Sequence, residues 1–196
     1  MQIEKIYNAN NKLIDGPLLI KPTIYNDNRG YFFESWNQKK FNYELRKNIN
    51  FVQDNYSFSK KGVLRGLHFQ LNPFPQGKLI RVNSGEIFDV IVDLRKQSKT
   101  FGDWASIVLS SSENNSLWIP EGFAHGFLTL SDYAAICYKV TNYWNKDLEN
   151  SLLWNDKKVS IKWPKNIKKD MKFIISQKDQ DAITLDELII TDKLFL

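Results

Sequence analysis

Two histidines occur in this 196-residue chain. One of them, His68, lies in Gly62-Val63-Leu64-Arg65-Gly66-Leu67-His68-Phe69-Gln70, an apolar run of strand character bracketed by a cation and an amide. An imidazole titrates close to neutrality, so in that setting it suits a general base. A hydrogen-bonded core histidine is the plainer reading of an isolated one. Its neighbours weigh against that reading, because Arg65, Gln70, Lys78 and Arg81 crowd a short hairpin-like region, and buried cations are costly without a compensating anion or carboxylate. A bound phosphate would be one such anion. An ideal strand points Arg65 and His68 to opposite faces, so Gly66 is expected to mark a bulge that re-aims one of them.

The second histidine, His125, lies in Ile119-Pro120-Glu121-Gly122-Phe123-Ala124-His125-Gly126-Phe127, a turn feeding an apolar strand. Two imidazoles and carboxylates fall short of the three nitrogen or sulfur ligands that a catalytic zinc or transition-metal site normally takes, so no metal is expected. The single cysteine, Cys137, sits in Ala134-Ala135-Ile136-Cys137 as a small buried hydrophobe would and can form no internal disulfide. No Gly-x-Ser-x-Gly elbow, Gly-x-Gly-x-x-Gly fingerprint or phosphate-binding loop motif is present, which leaves covalent catalysis and the usual α/β nucleotide enzymes unsupported. Along Tyr138 to Trp144 strand parity puts Tyr138 and Trp144 on one face, about 20 Å apart. A phenol and a flat ring at that separation suit a nucleotide-sized ligand, and an ordinary pair of core aromatics would look the same.

The elements that must carry these residues read as strands. Thirteen Phe, eight Tyr and six Trp against two Met favour a β-rich interior. Leu18 to Ile20, Ile80 to Val82, Ile87 to Leu94, Ala105 to Leu109, Phe123 to Leu130 and Ala134 to Tyr143 are apolar or alternating runs of strand length, separated by turn formers such as Asp27-Asn28-Arg29-Gly30 and Asn83-Ser84-Gly85. The spacing predicts an all-β protein, most simply a jelly roll, with helix confined to Asn37 to Arg46 and the stretch around Ile183 to Ile190. No repeat or linker divides the chain, and one domain over residues 1–196 is expected. The amino-terminal residues lack a signal pattern and no apolar run is long enough to span a membrane, so a soluble, cytoplasmic protein is expected. A net charge of +5 suits an anionic partner. The seven lysines between Lys157 and Lys172 read as a solvated face, without the arginines and spaced aromatics of a nucleic-acid patch.

Taken in order, Gly62 to Gln70, Gln76-Gly77-Lys78-Leu79, Phe88-Asp89-Val90, Ser98 to Trp104, Trp118 to Phe127, Tyr138-Lys139 and Leu153-Trp154-Asn155-Asp156 resemble the dTDP-4-dehydrorhamnose 3,5-epimerase family. The resemblance runs from about Leu18 to Asp179, and residues 180–196 form a carboxy-terminal extension outside it. It implies a cupin-type jelly-roll barrel with a few short peripheral helices, usually a homodimer, that binds a dTDP-sugar without metal or redox cofactor. The reaction implied is inversion of C3 and C5 beside a C4 ketone through an enolate. His68 matches the family's base, Asp179 the carboxylate that orients it, Tyr138 the acid and Lys78 the cation near the enolate. Substrate-binding positions carry over to Arg29, Glu34, Gln53, Asp54, Asn55, Arg65, His125, Glu149 and Lys178, with Arg29 and Glu34 reaching the nucleotide across the dimer interface.

Trp144 stands where the typical member has a tyrosine that stacks on thymine; the π-face is kept and a hydroxyl lost. Asn150 replaces a usual glycine. The same acid and base would serve an epimerase acting at C3 alone or C5 alone. A non-catalytic sugar-nucleotide-binding barrel is a third reading, weakened by the presence of His68, Tyr138, Lys78 and Asp179 together.

Overall fold

The computed structural model describes residues 1–164 and 172–196. The chain begins with β1 (Gln2–Tyr7), β2 (Leu13–Lys21) and a small hairpin of β3 (Ile24–Asp27) and β4 (Gly30–Phe33), followed by helix α1 (Gln38–Leu45). Eight strands follow almost without interruption: β5 (Gln53–Lys60), β6 (Val63–Gln70), β7 (Lys78–Ser84), β8 (Glu86–Asp93), β9 (Trp104–Ser110), β10 (Ser116–Ile119), β11 (Phe123–Thr129) and β12 (Tyr133–Val140). The carboxy-terminal part adds β13 (Glu149–Ser151), β14 (Ile174–Ile175), α2 (Gln177–Gln180) and α3 (Leu185–Ile190). Part of the lysine-rich stretch from Lys157 to Lys172 lies outside the described residues.

Two sheets face each other, one in the order β1-β2-β10-β7-β12-β5 and the other β13-β6-β11-β8-β9 with β14 alongside β6. The interior between them is filled by Ile80, Val82, Ile87, Ile91, Leu117, Ile119, Phe123, Phe127 and Ile136. This is the jelly-roll barrel that the strand spacing predicts. Strand β8 shows why its sequence is nearly continuous in apolar residues. Ile87 and Ile91 point into the barrel, while Val90 and Val92 point outward into a second core with Leu64, Leu67, Phe69, Leu128, Leu152, Leu188 and Phe195. The chain after β13 therefore serves as a cover for the outer face of the second sheet. Each such side chain taken from water stabilises the fold by roughly 1.5–3 kcal/mol.

The outer face of the first sheet is covered in part by α1, where Trp36, Phe41, Phe51 and Trp118 meet edge to face or tilted at centroid separations of 4.8–5.9 Å. Asn37 caps α1 by accepting from the Lys40 N–H. Helix α3 carries a capping box from Thr184 and Glu187. Both helices fall where the apolar spacing placed them; the four-residue α2 is too short to leave such a periodicity.

Two expectations are corrected. The segment holding Arg65, Gln70, Lys78 and Arg81 is not a hairpin, because β6 and β7 belong to opposite sheets. Arg81 leaves the site altogether and lies over the Phe33 ring at 5.6 Å. The strand expected over Ala134 to Tyr143 ends at Val140. Side chains divert the backbone there: Thr141 Oγ1 accepts from the Gly77 N–H at 2.8 Å and Asn142 donates to the Pro75 carbonyl. Trp144 therefore lies beyond the strand, and parity no longer relates it to Tyr138.

Candidate active site

The site begins with an irregularity in β6. His68 pairs with His125 and Arg65 with Phe127, so three residue steps on β6 match two on β11. One extra residue is accommodated at Gly66, whose φ is +112°, a conformation that favours glycine. A Cβ at Gly66 would lie 2.6 Å from the Gly126 Cα, and one at Gly126 would lie 2.6 Å from the Arg65 carbonyl oxygen. Two glycines back to back thus permit the bulge. Its effect is to turn Arg65, Gly66's predecessor, and His68 both toward the barrel interior, while Leu64 and Leu67 stay in the outer core. The bulge expected at Gly66 is present.

His68 Nε2 meets Asp179 Oδ1 at 2.6 Å, and Asp179 Oδ2 accepts the Gly66 N–H at 3.3 Å. Asp179 comes from α2, capped by Ser176, and is 3% exposed. Burial would raise its carboxyl pKa, but the hydrogen bond and charge of His68 and the Gly66 N–H hold it below the ordinary value. An ionised Asp179 accepts the Nε2 proton, which leaves Nδ1 as the nitrogen with a free lone pair.

Lys78 approaches from the opposite sheet, where it is 9% exposed, and Nζ donates to the His68 carbonyl at 3.0 Å. Burial lowers its pKa to about 8, against the pull of Glu149 and Asp89. His125 Nε2 lies 2.9 and 3.1 Å from the two oxygens of Asp89, which is wholly buried. Desolvation pushes both members of that pair toward their neutral forms, the Asp89 pKa up and the His125 pKa down.

Tyr138 stands on β12 directly between Asn55 of β5 and Ile80 of β7. Burial raises the pKa of its hydroxyl, the charge of Glu149 raises it further, and Arg65 opposes. Arg65 spans the two sheets, Nε donating to Ser59 Oγ at 3.0 Å and Nη2 to the Phe58 carbonyl at 3.3 Å. Glu149 binds Lys178; burial favours its protonation, but Lys178, His68 and Trp144 together hold its pKa below the usual value. Glu149 thus feels His68, Tyr138 feels Glu149 and Arg65, and His125 feels both Lys78 and His68. One polar cluster occupies one end of the barrel.

Gln53 and Asn55 face it from β5 and bond each other at 2.8 Å, and Gln53 Oε1 also accepts the Trp144 N–H. Asp54 points outward and pairs with Lys139 at 2.8 Å. Trp144, 54% exposed, sits at the rim on a loop held by Gln70, which accepts from the Asn145 N–H and donates to the Tyr143 carbonyl. Arg29 and Glu34 are not brought to this cluster within the chain: Arg29 pairs with Asp27 at the tip of the β3–β4 hairpin, and Glu34 pairs with Lys40 of α1. The residue that sequence reasoning left out of the site is Asp89. Its signal was available, one of two carboxylates, with Asp93, in the apolar run from Ile87 to Leu94.

A cupin-type barrel with a His–Asp pair, an ammonium and a phenol facing one interior defines a class of protein built for proton transfer at a carbon acid. Among the described residues no group of three or more His, Cys, Asp or Glu side chains is placed to hold a metal ion. A family model described as dTDP-4-dehydrorhamnose 3,5-epimerase matches residues 11–187. The protein of that name from Salmonella typhimurium is 50% identical over 175 residues, covering 89% of this chain and 93% of its own. Among solved structures, the dTDP-6-deoxy-D-glucose-3,5-epimerase of Legionella pneumophila in complex with dTDP-4-keto-L-rhamnose aligns with a TM-score of 0.88 at 42% identity, over 99% of this chain and 98% of that one. A 3'-monoepimerase from Streptomyces bikiniensis in complex with dTDP-quinovose aligns at 0.85 and 27% identity, over 96% and 92%. The chain belongs to the dTDP-4-dehydrorhamnose 3,5-epimerase family.

Proposed function

We propose that the chain inverts C3 and C5 of dTDP-4-dehydro-6-deoxy-D-glucose to give dTDP-4-dehydro-L-rhamnose, in the biosynthesis of dTDP-L-rhamnose. The observation that carries this reading is His68 on one sheet, paired with Asp179 of α2, opposite Lys78 and Tyr138 on the other sheet. His68 Nδ1 takes the proton from the carbon beside the ketone, and the electron pair left behind moves into an enolate whose charge lies on the C4 oxygen. Asp179 steadies the imidazolium that forms. Lys78 lies within the cluster as the cation for the enolate oxygen, an interaction of about 3 kcal/mol in a water-poor site. Tyr138, kept protonated by its raised pKa, returns a proton from the opposite face, and each positioned proton transfer contributes roughly 10²- to 10⁴-fold. The imidazolium and phenolate then exchange protons with solvent, which resets both for the second carbon. Nothing is oxidised or reduced, so the chemistry calls for no redox cofactor.

Arg65 and Lys178 supply cations for the diphosphate, Trp144 a π-face for the base, and Gln53, Asn55, His125 and Glu149 polar contacts to the sugar and nucleotide. Asp54, turned outward to Lys139, is left without a contact to the ligand in its own chain. We assign a homodimer as the working form, acting as one domain per chain in the cytoplasm. Support comes from the exposed aromatic outer face of the first sheet, where Tyr56, Phe58 and Tyr133 are 65%, 54% and 49% exposed. The position of Arg29 and Glu34, away from their own chain's cluster, fits delivery to a partner's site. Among the described residues no helix is long and apolar enough to cross a membrane.

Incubation with dTDP-4-dehydro-6-deoxy-D-glucose in D₂O tests the reading. Deuterium is expected at both C3 and C5 by NMR, and His68→Ala is expected to abolish entry at both. Label at one carbon alone, C3 or C5, would instead establish a single-site reaction. No label at either carbon would leave a binding protein.

A further inference from the structure

Strand β13 brings one more polar group to the site. Ser151 is the cross-strand partner of His68, and the adjacent pair, Leu67 and Leu152, exchanges both backbone hydrogen bonds at 3.3 and 2.9 Å. Ser151 and His68 therefore form the non-hydrogen-bonded type of pair, in which the two side chains share a face and approach most closely. That face is the interior, because Glu149, two residues earlier on the same strand, lies within electrostatic reach of His68, Lys78 and Tyr138. Yet Ser151 Oγ is buried and has no hydrogen-bond partner among the described residues. Folded proteins leave few such groups, and each one calls for a reason.

The remainder of Ser151 is only half-buried. Its hydroxyl turns on a single torsion with three staggered positions, and the His68 side chain beside it is 30% exposed, so a rotamer change can re-aim Oγ at a ligand held against the imidazole. We propose that the Ser151 hydroxyl is a specificity-determining contact that hydrogen-bonds a ring hydroxyl of the sugar held against His68. The inference rests on the sugar-nucleotide reading above. It accounts for a hydroxyl that folding alone would disfavour: the partner arrives with the substrate.

Ser151→Ala separates this role from a structural one. Removing an unpaired buried hydroxyl leaves the melting temperature unchanged or higher, while KM for the dTDP-4-dehydro-sugar rises about 3- to 10-fold, the loss of one neutral hydrogen bond. Affinity for dTDP alone, which lacks the sugar, stays as in the wild type. An unchanged KM overturns the inference, as does a lowered melting temperature or an equal weakening toward dTDP. Wild-type protein that exchanges no deuterium at C3 or C5 overturns the epimerase reading instead, so the two failures are told apart.

Discussion

Lys78 is held almost out of water, and the consequences for stability and for chemistry run in opposite directions with pH. Its pKa falls from 10.5 to about 8 in the folded protein through burial, with Glu149 and Asp89 opposing. Between those two values the unfolded chain carries a proton that the folded one has released, so stability rises with pH across that window, by about 3 kcal/mol in all. At neutral pH the same amount is the cost of keeping an ammonium inside the barrel. The charge that faces the enolate disappears over the same window, so kcat is expected to fall as pH rises through about 8. Lys78→Met should be nearly inactive at all pH values and more resistant to urea than the wild type at pH 7, with the difference shrinking by pH 10. Urea midpoints that differ equally at both pH values would show that desolvation of this ammonium is not the cause. The residue types at the site were legible from their oddity. His68 and Lys78 stand in apolar surroundings that the sequence displays, whereas Asp89 was passed over as part of a strand pattern, although it is wholly buried against His125.

At the scale of the strand, the bulge at Gly66 is what makes those residues a site. Without it His68 and Arg65 would face opposite sides of the sheet, and Gly66 would not present its N–H to Asp179. The bulge depends on close contact with Gly126 on β11. Gly126→Ala places a methyl group 2.6 Å from the Arg65 carbonyl oxygen, a backbone atom that cannot turn aside. The substitution is expected to destabilise by about 1–3 kcal/mol through overpacking. It should also lower kcat more than it raises KM, because the His68–Asp179 geometry is disturbed more than the nucleotide contacts. Denaturant unfolding and initial rates check both, and a variant destabilised with unaltered kcat would show that the bulge only supports the fold. A glycine between a cation and a base was a readable sign of this arrangement. The end of β12 was hard to read: Thr141 is an ordinary strand residue and a single Asn142 a weak turn signal until Gly77 and Pro75, more than sixty positions away, offer them partners.

For the whole molecule, the homodimer proposed above would set a second copy over the exposed aromatics of the first sheet and beside the β3–β4 hairpin. On that proposal Arg29, 85% exposed and paired with Asp27 alone among the described residues, acts in its partner's site. His68→Ala and Arg29→Ala should each be impaired alone. Mixed and allowed to exchange subunits, they should recover about a quarter of wild-type activity, since half of the dimers are mixed and each mixed dimer holds one intact site. Light scattering should give a dimer mass throughout. A mixture no more active than the sum of its parts would place Arg29 outside the partner's site.

Composition, aromatic content and turn spacing determined the β-barrel, and the linked motifs determined the family, because burial patterns and chemically demanding residues are written locally. Tertiary structure decided which of those residues meet. Asp179 reaches His68 across 111 positions of chain through α2, and Lys78 comes from the facing sheet. Neither encounter leaves a local trace. Each depends on the order of strands in two sheets and on a bulge between two glycines, and those follow from packing the whole interior at once.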